Sequence, residues 1–135
     1  MKVLIDTNIL ISAVLKDRLP EAIILQIIQS PDFIWLASAY IIQEYKGVLA
    51  RPKFKLSEAQ KQEWSRLMDT YVTVVAVNAS IDFPRDPKDA PFLACAIVTQ
   101  ADFLITGDRD LLENPDIIPT QIVSVAQFNT LFPMA

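Results

Sequence analysis

Five short apolar runs recur along the chain with helical sequence between them, and this alternation constrains the fold more than any other feature. The runs are "KVLI" (2–5), "FIWLA" (33–37), "VTVVAV" (72–77), "DFLIT" (102–106) and "QIVSV" (121–125). Strands that return through helical crossovers run parallel, and the helices then cover both faces of the sheet. The expected fold class is therefore α/β, a three-layer α/β/α sandwich with a mainly parallel central sheet.

Caps and periodicity place the helices. Thr7 or Asn8 starts a helix through "NILISAVL". Pro20 suits the first turn of the next helix, which carries Ile23, Ile24, Ile27 and Ile28 on one face. Ser38 is a good N-cap for "AYIIQEYKGVLA", where Ile41, Tyr45 and Val48 recur at helical spacing, and Gly47 with "RPKFK" marks an end or break. Ser57 caps "SEAQKQEWSRLMDTY", with Trp64, Leu67, Met68 and Tyr71 as its apolar stripe. "APFLACAIVTQ" reads as a buried helix, and a terminal helix follows "QIVSV". Trp35 is expected in the core; Phe54, flanked by Lys53 and Lys55, suits either core or interface. The 135 residues, 52% of them hydrophobic, are enough for one substantial core. No linker, repeat or low-complexity stretch divides them, so residues 1–135 are read as one domain.

Several function classes fall away. No apolar stretch approaches the ~18 residues needed to cross a bilayer, Asp6 interrupts the first apolar run before any signal-peptide pattern forms, and the lone Cys95 cannot form an internal disulfide. A cytoplasmic protein with no membrane partner is the expectation. There is no histidine, which removes serine and cysteine triads of the usual type and leaves zinc almost without ligands. Neither GxGxxG nor GxxxxGK occurs, so the phosphate cradles of dinucleotide and nucleotide binders are missing.

Acids stand where the predicted elements join. Asp6 follows the first strand, and Asp108 and Asp110 follow the fourth; in open parallel sheets, ligands bind beyond the carboxyl ends of the strands. Glu44 lies beside Ile41 and Val48 on its helix, with Tyr40, Ile41, Gly47 and Val48 rather than any base three or four positions away. Asp89 begins the apolar helix. Singly, each has a plainer role: Asp6 as an N-cap, Glu44 as a solvent-facing residue, Asp89 as the third position of a capping box opened by Asp86, and Asp108 and Asp110 as turn residues after Gly107. Together, four acids on one rim repel one another unless cations compensate. Magnesium or manganese, hard ions that prefer carboxylate and water oxygens and accept phosphate as a further ligand, suit that set. The reaction class left standing is metal-assisted hydrolysis of a phosphodiester.

The segments "VLIDTNIL", "SAYIIQEYKGVL" and "RDPKDAPFLACAIVTQADFLITGDRDLL" together resemble those of PIN-domain proteins, in particular the VapC-like ribonucleases, toxin components of bacterial toxin–antitoxin systems. The resemblance covers essentially the whole chain. It implies Mg2+-dependent (or Mn2+-dependent) hydrolysis of RNA, with Asp6, Glu44, Asp89 and Asp108 as catalytic metal ligands and Asp110 as the alternative for the fourth position. It also implies supporting roles for Thr7, Asn8 and Thr106, backbone contacts to RNA from Arg85, Lys88 and Arg109, a cognate antitoxin as partner, and a homodimer.

The net charge of −4 counts against a nucleic-acid binder, but the charge is uneven: six of the 12 basic residues (Lys46, Arg51, Lys53, Lys55, Lys61 and Arg66) fall between positions 46 and 66 beside only Glu58 and Glu63. This stretch is either a solvated helical surface or a phosphate-contacting patch. The alternative to a nuclease is a non-catalytic RNA- or protein-binding module of the same fold with an incomplete metal site.

Overall fold

Strand β1 (Lys2–Ile5) occupies the middle of a five-stranded sheet in a computed structural model that describes residues 1–77 and 88–134. The others are β2 (Ile34–Ser38), β3 (Val72–Val75), β4 (Phe103–Ile105) and β5 (Gln121–Val123), in the spatial order β3-β2-β1-β4-β5. Every pairing is parallel, with Val3 opposite both Trp35 and Phe103, Ala37 opposite Val74, and Leu104 opposite Ile122. Helices α1 (Thr7–Val14), α2 (Arg18–Gln29), α3 (Ala39–Leu49), α4 (Glu58–Tyr71), α5 (Ala90–Thr99), α6 (Arg109–Glu113) and α7 (Val125–Leu131) complete the three-layer α/β/α arrangement expected from the alternation.

The core follows from that layering. A strand covered on both faces needs apolar residues at every position rather than every second one. Val3, Leu4, Ile5, Leu104 and Ile105 are accordingly all buried. On α2, Ile23, Ile24 and Ile27 face inward, and Ile28 packs at the margin. Trp35 joins the core as expected; Phe54 stays outside it, half-buried. Tyr71, placed on the apolar stripe of α4 by its spacing, is about half exposed, because that helix is stitched inward chiefly by Trp64 and Met68. Phe33, Phe103, Phe128 and Phe132 form a cluster with ring centroids 5.0–5.6 Å apart, which seats α7 against the start of β4.

The caps predicted at Ser38 and Ser57 form, whereas the first helix takes Asp6, not Thr7 or Asn8, as its N-cap because Thr7 is already helical. Ser38 accepts a hydrogen bond from the Ile41 amide at 3.2 Å, and Ser57 forms a reciprocal capping box with Gln60. Ser124 and Gln127 make a second box at the start of α7. One element differs in kind: the stretch after Gly107, readable as a turn, is the short helix α6, with Asp108 as its N-cap. No described helix is long and apolar enough to cross a membrane.

Strand order positions everything downstream. The chain moves from β1 through β2 to β3 on one side, then returns to lay β4 and β5 on the other. The direction therefore reverses between β1 and β4, and the crevice beyond their carboxyl ends is where such sheets take ligands. Tyr45 braces this point. Its buried hydroxyl donates to the carbonyl of Ile5, the last residue of β1, and accepts from the Trp35 indole N–H at 3.4 Å. Burial pushes the Tyr45 hydroxyl's pKa up, so it stays a neutral donor. Replacing Tyr45 by Phe leaves a buried carbonyl and a buried indole N–H unpartnered, and chemical denaturation should show a loss of about 1–3 kcal/mol.

Candidate functional site

Asp6 is the N-cap of α1 by position, yet its carboxylate makes no capping hydrogen bond. Its backbone carries out the joining: the amide donates to Ile105 on β4 at 2.9 Å, and the carbonyl accepts from the Ile9 amide at 3.0 Å. The carboxylate instead accepts from the Thr106 hydroxyl at 2.6 Å. Thr106 is fully buried at the end of β4, and its hydroxyl oxygen in turn accepts from the Asp108 amide at 3.0 Å. One threonine hydroxyl thus fixes two acidic residues from opposite sides of the crevice.

A second threonine mirrors the first. The Thr7 hydroxyl donates to Oε2 of Glu44 on α3. Glu44 is half-buried and bonded rather than solvent-facing, its partner coming from another helix, where none was available on its own. Asp89 is the N-cap of α5 and, like Asp6, makes no capping hydrogen bond through its side chain; it is buried at 8% exposure. Because α5 starts at Ala90, Asp89 does not occupy the third position of a box. Asp86, the other half of that idea, lies outside the described residues, as does Arg85.

Asp6, Glu44, Asp89 and Asp108 line one cleft of about 340 Å³, together with Thr7, Asn8, Arg51 and Lys88 and the apolar walls Ile11, Val48 and Phe92. Asn8 and Lys88 are exposed. Thr106 sits beneath the floor, reaching the cleft through Asp6 and Asp108. Asp110 does not line the cleft; it is exposed, and its amide donates to the Asp108 carboxylate at 2.9 Å. Arg109 is exposed and also outside the lining. Arg51 was not singled out for this position. It was read only as part of the basic cluster, and helical spacing from Glu44 does not point to it, because α3 ends at Leu49 and Arg51 lies beyond it with extended backbone. A larger hollow, about 590 Å³, opens at the other end of β4 and β5 around Asp102 and Gln121, but no group of acids gathers there.

Burial holds the Asp6 carboxyl above the ordinary carboxylate range; the Thr106 hydroxyl and the Thr7 amide oppose that shift, and the negative charges of Asp108 and Glu44 reinforce it. Three of the four acids sit at helix N-termini, whose partial positive charge offsets part of the repulsion. The donor chemistry fits a hard divalent cation. Among the described residues, no three acidic or thiol side chains stand close enough to form a ready-made cage. Mg2+ keeps several waters and needs only one or two carboxylates directly, so a spread set suits it better than it would a dehydrated ion.

The PIN domain family model matches residues 2–110, which include all four cleft acids. An uncharacterized protein of Methanocaldococcus jannaschii, MJ1680, is 29% identical over 119 residues, covering 86% of this chain and 76% of that protein. Among solved structures, a chain of VapBC2 from Rickettsia felis, bound to a DNA fragment from their promoter, superimposes with a TM-score of 0.62 at 15% identity, covering 92% of this chain and 98% of that one. The PIN domain endonuclease Utp24 superimposes with a TM-score of 0.56 at 17% identity over 91% and 84% of the two chains. At these identities the structural likeness is one of fold.

The raised Asp6 pKa has a sign that can be checked. A carboxyl that binds its proton more tightly folded than unfolded makes the native state less stable as pH rises through the raised value. In chelator, Asp6→Asn should therefore melt at a higher temperature than the unsubstituted protein at neutral pH. That gap should close as pH falls to the ordinary carboxylate range, measured by thermal denaturation across pH.

Proposed function

Since this chain belongs to the PIN-domain family, we propose that it is a divalent-metal-dependent endoribonuclease, the cytoplasmic toxin of a toxin–antitoxin pair. The observation that carries this reading is the convergence of Asp6, Glu44, Asp89 and Asp108 on one cleft at the switch point of the sheet. Similarity to VapBC2 and to a PIN domain endonuclease supports it at the level of fold.

A bound Mg2+ or Mn2+ supplies a water of lowered pKa and neutralises charge on the reacting phosphate. The chain's own residues hold and orient. Asp6 and Asp89 are the anchoring ligands, with Asp108 and Glu44 completing the set or ordering its waters. Thr106 and Thr7 act one layer out, keeping the Asp6 and Glu44 carboxylates in fixed orientations, a role that ordinarily contributes 10–100-fold to affinity or activity. Asn8, exposed at the lip, offers an amide to water or phosphate, and Lys88 offers a cation. The apolar walls Ile11, Val48 and Phe92 limit water around the reacting group. An antitoxin segment covering the cleft, and a homodimer formed through exposed apolar residues such as Tyr40, Val74 and Val98, complete the proposal.

A second reading has one observation in its favour. The acids form no ready-made cage among the described residues, as expected of a non-catalytic RNA- or protein-binding module. The variants separate the two. For a nuclease, cleavage of single-stranded RNA should require Mg2+ or Mn2+, stop in excess chelator, and fall by roughly 100-fold or more in Asp6→Asn and Asp89→Asn, with RNA affinity retained. Thr106→Val should lose about 10–100-fold. Cleavage that survives chelation, or is equal in all four proteins, excludes the proposed site.

A further inference from the structure

Six cations crowd residues 46–66, and the structure divides them by what they do. Lys46 pairs with Asp69 at 2.8 Å and Lys61 with Glu58 at 3.3 Å. Arg51, Lys53, Lys55 and Arg66 have no carboxylate within ion-pair distance among the described residues, and all four are exposed. Arg66 stands alone on α4, whereas the other three share one short segment, the connector between α3 and α4. Its first cation, Arg51, lines the acidic cleft itself.

The connector is a fixed turn rather than a loose strand. Pro52–Phe54 form a 3-10 turn in which the Phe54 and Lys55 amides return to the Arg51 and Pro52 carbonyls at 3.2 and 3.0 Å. Lys55 takes a left-handed conformation, φ 51°, which ends the turn. Beyond it, Leu56 packs on the core and the Ser57–Gln60 box starts α4, so both ends of the turn are anchored. Phe54 is held at its apex without joining the core, and the Lys53 ammonium lies 5.1 Å from its ring centroid. A half-exposed ring outside the core, flanked by cations without a carboxylate partner and three residues from an arginine that lines the acidic cleft, has the elements of a single-strand binding surface. Such surfaces combine cations that track the backbone with aromatic faces on which unpaired bases stack.

We propose that Arg51 to Lys55 form the platform that delivers a single-stranded nucleic acid to the cleft, with Phe54 stacking on a base and Arg51, Lys53 and Lys55 holding phosphates adjacent to the reacting one. This rests on the nuclease reading for what happens in the cleft, but the strand-binding role stands by itself. It also gives the chain's charge a logic. A protein of net charge −4 with an acidic cleft repels nucleic acid at long range, and a concentrated patch beside the cleft supplies the attraction where it is needed.

The test measures binding and chemistry separately. Affinity for a fluorescein-labelled oligoribonucleotide is read by anisotropy over a salt series, with Ca2+ replacing Mg2+. Phe54→Ala should weaken binding about tenfold, and Phe54→Tyr should restore it. The pair Lys53→Ala and Lys55→Gly, the glycine keeping the left-handed turn, should lower the salt slope by roughly 0.7 per cation removed. Lys2→Ala with Lys16→Gly, which removes the same two charges outside the turn and keeps the left-handed backbone of residue 16, should leave both unchanged. A single-stranded oligodeoxyribonucleotide run in parallel shows whether the sugar matters, and equal loss on both strands supports the platform. Hydrolysis of bis(4-nitrophenyl) phosphate, too small to reach the turn, should be the same in all turn variants. If no variant loses affinity, or duplex binding falls as much as single-strand binding in Phe54→Ala, the platform is overturned whatever the nuclease activity. If neither RNA nor the small ester is cleaved yet the turn variants lose the strand, the platform holds and the nuclease reading falls.

Discussion

Like charges gathered at the switch point of a parallel sheet are the constraint to which the rest of this molecule answers. Asp6, Glu44, Asp89 and Asp108 share one cleft, and burial together with mutual repulsion holds Asp6 above its ordinary range. Such a set persists only if the scaffold resists relaxing it. Two threonine hydroxyls, three helix N-termini and the Tyr45 brace on the end of β1 provide that resistance. Local stability given up at the cleft is supplied by the apolar sheet beneath it, where the central strands are buried on both faces.

Distances within the site also separate roles that look alike by composition. Asp108 and Asp110 are two residues apart and chemically identical, yet Asp108 faces the cleft while Asp110 contributes only a backbone amide that holds Asp108 in place. Thr7 and Thr106 differ in the same way: the Thr7 hydroxyl bonds Glu44 alone, whereas the Thr106 hydroxyl donates to the Asp6 carboxylate and accepts from the Asp108 amide. The crossed arrangement ties β1, β4, α1 and α3 into one rim, so a change in any of these elements is felt by the acids.

The basic turn after α3 belongs to the same logic from the other side. In the proposed nuclease, an acidic cleft suited to a cation repels a phosphate strand, and this turn supplies the attraction. Arg51 stands at the boundary between the two fields, lining the cleft and immediately preceding the turn.

Much of the scaffold was legible from local pattern. The five apolar runs became the five strands, and Ser38 and Ser57 capped the helices they precede, because burial on both faces and unsatisfied helix amides impose requirements that act within a few residues. The short helix α6 escaped this reading, since five residues carry too little periodicity to distinguish a helix from a turn. What tertiary structure alone decided was contact at long range: Thr106 meeting Asp6 across 100 residues, Thr7 meeting Glu44 across 37, and Arg51 reaching the cleft. Strand order and register set those encounters, and both arise from how crossovers pack rather than from any residue's neighbours in the chain.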